Sequence, residues 1–127
     1  MDKPTLVDDD RRAGEELLAV LDHAGLKVRA AFWLYMPESN EWRLYLALPM
    51  VLRKGPKETY SRIRPHLEGI QDKALSLKNI SVVAPNDRLV KLLGSAIKTG
   101  PGIDGIRFTG NVIDNVLIED AFIYRVA

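Results

Sequence analysis

The chain has 127 residues, 46% hydrophobic and 28% charged, and its 18 Lys and Arg against 17 Asp and Glu leave a formal charge of +1. Such a composition fits one globular domain over residues 1–127, long enough to bury roughly two thirds of its unfolded surface. Near-neutrality excludes a molecule-wide attraction to nucleic acid or membrane, and the absence of cysteine excludes disulfides, thiolate metal sites and cysteine nucleophiles.

The opening MDKPTLVDDDRR has neither a basic start nor an apolar run, so no signal peptide is expected. The longest mostly apolar stretch, LYLALPMVL, is far short of the ~20 residues that span a bilayer. The expectation is a soluble, cytoplasmic chain with no membrane partner.

Residues 8–24 place Ala13, Leu17, Leu18, Leu21 and Ala24 at helical spacing, with acids in the first turn, where the helix dipole favours them, and Gly25 as the stop. His23 falls in the last turn, which favours a cationic imidazole. Asp8, Asp9 and Asp10 point in different directions, so a solvated first turn is preferred over a metal site.

From Leu26 the period changes to two, which marks a hairpin. With residues 37–41 as its loop, Val28, Ala30, Phe32, Leu34 and Met36 share a core face with Trp42, Leu44, Leu46 and Leu48. The opposite face then holds Lys27, Arg29, Ala31, Trp33 and Tyr35 with Arg43, Tyr45 and Ala47; Trp33 opposes Tyr45 and Tyr35 opposes Arg43. Arg29, Trp33, Tyr35, Arg43 and Tyr45 would suit a single-stranded nucleic-acid platform, aromatic faces for the bases and cations for the phosphates. The ordinary alternative, cross-strand aromatic and Arg–aromatic pairs on an exposed or helix-covered face, is preferred.

The segment 53–66 is locally basic, with Arg53, Lys54, Lys57, Arg62 and Arg64 against Glu58 alone. Arg62 and Arg64 are a second place for a nucleic-acid contact. Pro56 is suited to start a helix through Tyr60, Ile63, Leu67 and Ile70, and Pro65 is expected to kink or divide it. Residues 73–79 read as a connector, Asn79–Ala84 as a short buried strand, and Pro85-Asn86-Asp87 as a stop and cap for a helix that buries Leu89, Val90, Leu93, Ala96 and Ile97. The glycine-rich TGPGIDG closes that helix and opens a strand, the reverse of a phosphate loop.

The last stretch, residues 104–126, reads as two strands joined at Asp114-Asn115, residue types that tolerate the positive φ of a two-residue hairpin loop. Ile113 then faces Val116, Val112 faces Leu117, Gly110 faces Glu119, Phe108 faces Ala121 and Ile106 faces Ile123. One face carries Ile106, Phe108, Val112, Leu117, Ala121 and Ile123; a bulge at Gly110 would exchange the assignments. Arg107 and Asp120, on the other face, would make a surface ion pair worth little.

The element order α-ββ-α-β-α-ββ predicts an α+β fold: one mainly antiparallel five-stranded sheet with about three helices on its apolar face. Glu119 stands on that face opposite Gly110, which makes it a candidate acid/base or metal-binding group. The preferred alternative puts it in water at the sheet's end or beside a helix arginine. With His66, Glu119 is the weak catalytic pair of a small hydrolase or isomerase. No motif calls for a metal or cofactor. The leading expectation is a non-catalytic protein-interaction module that self-associates, as in a homodimer; single-stranded nucleic-acid binding is the alternative.

Overall fold

The computed structural model describes residues 3–70 and 75–127. Helix α1 (Asp8–His23) precedes a hairpin of β1 (Ala30–Met36) and β2 (Glu41–Ala47). Helix α2 (Met50–Leu67), a 3-10 turn at Leu77–Asn79, β3 (Ile80–Val83) and α3 (Arg88–Ala96) lead to a second hairpin of β4 (Ile106–Ile113) and β5 (Val116–Val126). The strands form one mixed sheet in the order β3-β2-β1-β5-β4, antiparallel except for β2 and β3. The fold is α+β, as the element order predicts. Among the described residues no helix is long and apolar enough to cross a membrane. Positions 73 and 74 of the expected connector lie outside the described residues.

Helix α1 ends as its sequence dictates. Gly25 adopts φ +82° and supports a Schellman closure, in which Leu26 N–H reaches Leu21 O and Gly25 N–H reaches Asp22 O, both at 3.0 Å. Asp87 caps α3 by accepting from Leu89 N–H at 2.9 Å. Helix α2 departs from expectation. Its break is at Gly55 (φ +83°, ψ 166°), from which Pro56 starts a second run that continues through Pro65 to Leu67. Pro65 divides nothing: the only non-helical residue in α2 is Gly55.

The first hairpin corrects the expected register by one residue. Its loop is 37–40, closed by Asn40 N–H on Pro37 O (3.3 Å) with Asn40 at φ +52°, so Met36 pairs with Glu41 and Tyr35 with Trp42. A one-residue slip exchanges the faces of a whole strand. Trp33, Tyr35, Trp42, Leu44 and Leu46 therefore share one face; Ala30, Phe32 and Leu34 lie on the other with Tyr45.

Both faces are covered, rather than one. Leu17, Leu18 and Leu21 of α1 and Ile63 and Leu67 of α2 pack on the Trp33 face, while Val90, Leu92 and Leu93 of α3 pack on the Phe32 face. On α3, Leu92 is buried and Ala96 exposed, the reverse of the helical-spacing expectation for Ala96.

The second hairpin has the expected turn and register, with Asp114 and Asn115 at φ +47° and +66°. The faces do not persist along it. Gly110 takes φ +59°, the Gly110/Glu119 step drops out of the ladder, and the tip turns over beyond it. Ile106, Phe108, Ala121 and Ile123 belong to the α3-side core, but so do Ile113, Val116 and Ile118, while Val112 and Leu117 are 66% and 62% exposed. The expected single apolar face holding Val112 and Leu117 with Phe108 and Ile123 is thus not formed. A residue in the left-handed region redirects both strands at once.

A bulge in β5 shapes the other end. Ala31 pairs with Arg125 but Phe32 with Ile123, so Tyr124 is an extra residue and both Tyr124 and Arg125 turn toward α1. Tyr124 Oη accepts from Trp33 Nε1 (2.9 Å) and donates to Arg11 O (2.6 Å). Gly14 passes directly over this pair. A Cβ there would strike the Tyr124 hydroxyl and lie 2.9 Å from Trp33 Nε1. In an ordinary helix interior Gly→Ala stabilises by about 0.5–1 kcal/mol. Here overpacking wins, and Gly14→Ala is expected to destabilise by about 1–3 kcal/mol in urea unfolding.

Candidate functional site

Two regions stand out: a buried carboxylate with its cations, and the free border of the sheet. The buried carboxylate is Asp120, not Glu119. Glu119 lies exposed beside the turned-over tip, so its position on an apolar face is not realised. Asp120, 1% exposed, accepts from Arg107 Nε (2.6 Å, Oδ1) and Nη2 (2.6 Å, Oδ2) and from Lys3 Nζ (2.7 Å, Oδ2). The Arg107–Asp120 pair expected at the surface is therefore a buried, doubly served carboxylate.

Aromatic rings wall this cluster. Tyr35 and Trp42, cross-strand neighbours, lie 5.6 Å apart and tilted by 58°. Lys3 Nζ is 5.1 Å from the Tyr35 ring centre and 5.9 Å from that of Trp42, and the Arg107 guanidinium is 5.8 Å from Trp42. Trp42 Nε1 donates to Pro4 O (2.9 Å), and the Tyr35 hydroxyl donates to Asn40 Oδ1 (2.5 Å). The segment before α1 is thereby strapped over the sheet, with Leu6 buried in the core behind it. Burial alone would raise the Asp120 pKa, but the hydrogen bonds and charges of Arg107 and Lys3 outweigh it and hold the carboxyl below the ordinary aspartate value.

The residues expected to form a nucleic-acid platform are dispersed. Trp33 and Tyr35 face α1 and α2, and Tyr45 stacks on Phe32 (5.3 Å, 6°) on the α3 side; their exposures of 2%, 6% and 9% leave no ring open to a base. Arg43 is engaged by Ser81 Oγ and Lys78 O, both at 3.0 Å. Arg29, Arg62 and Arg64 are exposed. His66, at the end of α2, is half-buried. Since α2 packs over β3 and Glu119 lies on β5 beside the opposite border, the fold does not bring the two together. Among the described residues no group of three His, Asp or Glu is placed to hold a metal ion.

The two borders of the sheet are treated differently. β3 is four residues long, and the Tyr60 hydroxyl of α2 accepts from Val82 N–H (2.9 Å) while donating to Ile80 O (3.0 Å), so one side chain bonds two of its backbone groups. β4 is eight residues long, with β5 as its only strand neighbour among the described residues. Within β4 a side chain bonds the backbone at Asn111 Nδ2 on Thr109 O (2.7 Å). Sequence reasoning missed Tyr60, whose helical spacing marks it as an ordinary buried position.

No protein-family model, curated protein or solved structure matches this chain. Its chemistry is read from its own geometry.

Asp120→Asn is expected to destabilise the fold by about 1–3 kcal/mol at neutral pH, since Arg107 and Lys3 lose their anion. A folded-state pKa below the unfolded value stabilises above the unfolded value of about 3.9 and ceases to do so as pH falls through the folded value. Chemical denaturation from pH 7 to pH 2 should show the wild-type advantage over Asp120→Asn constant at neutral pH and shrinking below about 4.

Proposed function

We propose that the chain is a non-catalytic interaction module that self-associates by pairing β4 with β4 of a second copy. The observation that carries this reading is the contrast between the borders: β3 has four residues and is bonded by Tyr60, whereas β4 has eight, in two runs either side of Gly110, and no outer strand neighbour among the described residues. A row of unpaired N–H and C=O groups is a template for another strand, and natural sheets shorten, charge or cover such edges. Two apolar side chains, Val112 and Leu117, stand exposed as a cross-strand pair beside that edge.

Pairing through a two-fold axis would join like edges and bury these side chains in both copies, which is how an isologous contact is built. The nucleic-acid alternative lacks its stacking platform, because Trp33, Tyr35 and Tyr45 are buried; what supports it is the exposed basic segment around Arg62 and Arg64.

Sedimentation equilibrium tests the proposal. The wild type is expected to show a reversible monomer–dimer equilibrium. The double variant Val112→Lys, Leu117→Lys should weaken it about tenfold or more, that is by ~1.4 kcal/mol, while the melting temperature stays within a few degrees because both sites are exposed. A wild type that stays monomeric at the highest attainable concentration would rule the reading out.

A further inference from the structure

We propose that Tyr35, Trp42 and Asp120 form a receptor for a primary alkylammonium group, occupied in this chain by its own Lys3 and open to a partner's lysine side chain when the strap of residues 3–5 lifts. This inference stands independently of self-association through β4.

The receptor has the parts that ammonium recognition needs. Two ring faces lie within about 6 Å of the cation, the range over which the ring quadrupole attracts it. A buried carboxylate oxygen accepts its hydrogen bond at 2.7 Å. Tyr35 is held by Asn40 and by its tilted contact with Trp42, while Trp42, the cross-strand partner of Tyr35, exchanges its Nε1 bond to Pro4 O for solvent when the strap lifts.

The site does not depend on Lys3 for its survival. With Lys3 withdrawn, Asp120 retains both bonds from Arg107, so the carboxylate is neither orphaned nor driven to take a proton. The same Arg107 sets the selectivity. A second positive charge next to it is accepted only where ring faces and Asp120 Oδ2 compensate, which favours a compact ammonium that donates to Oδ2 over a bulky guanidinium.

Ahead of Leu6 the strap is held by the receptor itself: Lys3 by Asp120 and the two ring faces, and Pro4 O by Trp42 Nε1; the Lys3 side chain is 37% exposed. Withdrawing three residues, 3–5, empties the receptor while Leu6 remains in the core. An intramolecular occupant acts at an effective concentration of order millimolar for a short tether, so Lys3 suppresses weak external ligands and yields to one that gains further contacts.

The chain's two tryptophans provide the readout, Trp42 in the receptor and Trp33 in the core as an internal reference. The probe is Nα-acetyl-lysine methylamide, titrated against the indole N–H resonances in ¹H–¹⁵N spectra. With Lys3→Ala, the Trp42 resonance is expected to shift saturably while that of Trp33 stays put. The wild type should need at least about tenfold more probe, in line with tethered competition. The uncharged analogue Nα-acetyl-norleucine methylamide should leave Trp42 unmoved. Adding Asp120→Asn to Lys3→Ala should abolish binding; if that protein does not fold, Tyr35→Leu with Lys3→Ala should weaken it severalfold. No saturable shift in Lys3→Ala, equal affinity in the wild type, or an equal response to the norleucine analogue would overturn the assignment.

Discussion

The extra residue in β5 is the constraint on which the rest of the molecule depends. Without the bulge at Tyr124, strict alternation would send either Tyr124 or Arg125 to the α3 side. With it, two successive residues grip α1 near both ends. Tyr124 holds the backbone of Arg11 in the first turn. Arg125 holds Asp22 in the last with bonds of 3.0 and 2.8 Å, and completes its coordination on Val28 O and Gly102 O. A buried guanidinium is tolerated because four of its five N–H groups meet an oxygen, two of them on a carboxylate. α1 is thereby fixed over the sheet, and Gly14 is the point where helix and strand come closest.

From that follows the two-sided core. β1 is buried along nearly its whole length, so each of its faces needs a cover. The α1–α2 layer takes the Trp33 side, and α3 with the folded-over hairpin tip takes the Phe32 side. The tip is needed because α3 has only nine residues, about 13 Å at 1.5 Å per residue, too short to shield the sheet alone. Gly110 supplies the turn that brings Ile113, Val116 and Ile118 to that side, and it leaves Val112 and Leu117 facing outward.

The element order, the helix stops and the Asp114-Asn115 turn were legible in the sequence because each rests on local chemistry: a glycine in the left-handed region, a capping aspartate, residues that accept positive φ. Faces were legible only as far as the loops were. One residue fewer in the 37–41 loop, permitted by Asn40, shifted every cross-strand pair of the first hairpin, exchanged the faces of one strand relative to the other, and put Trp33 and Tyr45 on opposite sides. The buried carboxylate is the immediate neighbour of the one whose predicted face made it odd: Asp120 is buried and Glu119 exposed. Alternation makes neighbours in a strand opposites in environment, and the cations that neutralise Asp120 come from 13 and 117 residues away. Lys3, Tyr60 and Arg125 carried no local signal, since their roles exist only across the sheet.

The strand order also governs when the sheet can be assembled. Each hairpin joins neighbours in sequence and closes with little loss of chain entropy, whereas the β1–β5 pairing brings together residues as distant as Phe32 and Ile123. The innermost strand is made well before β5, so one of its two borders stays without its native partner while the residues between them are synthesised. During that interval an apolar strand border is open to pairing with a neighbouring nascent chain, as on a polysome.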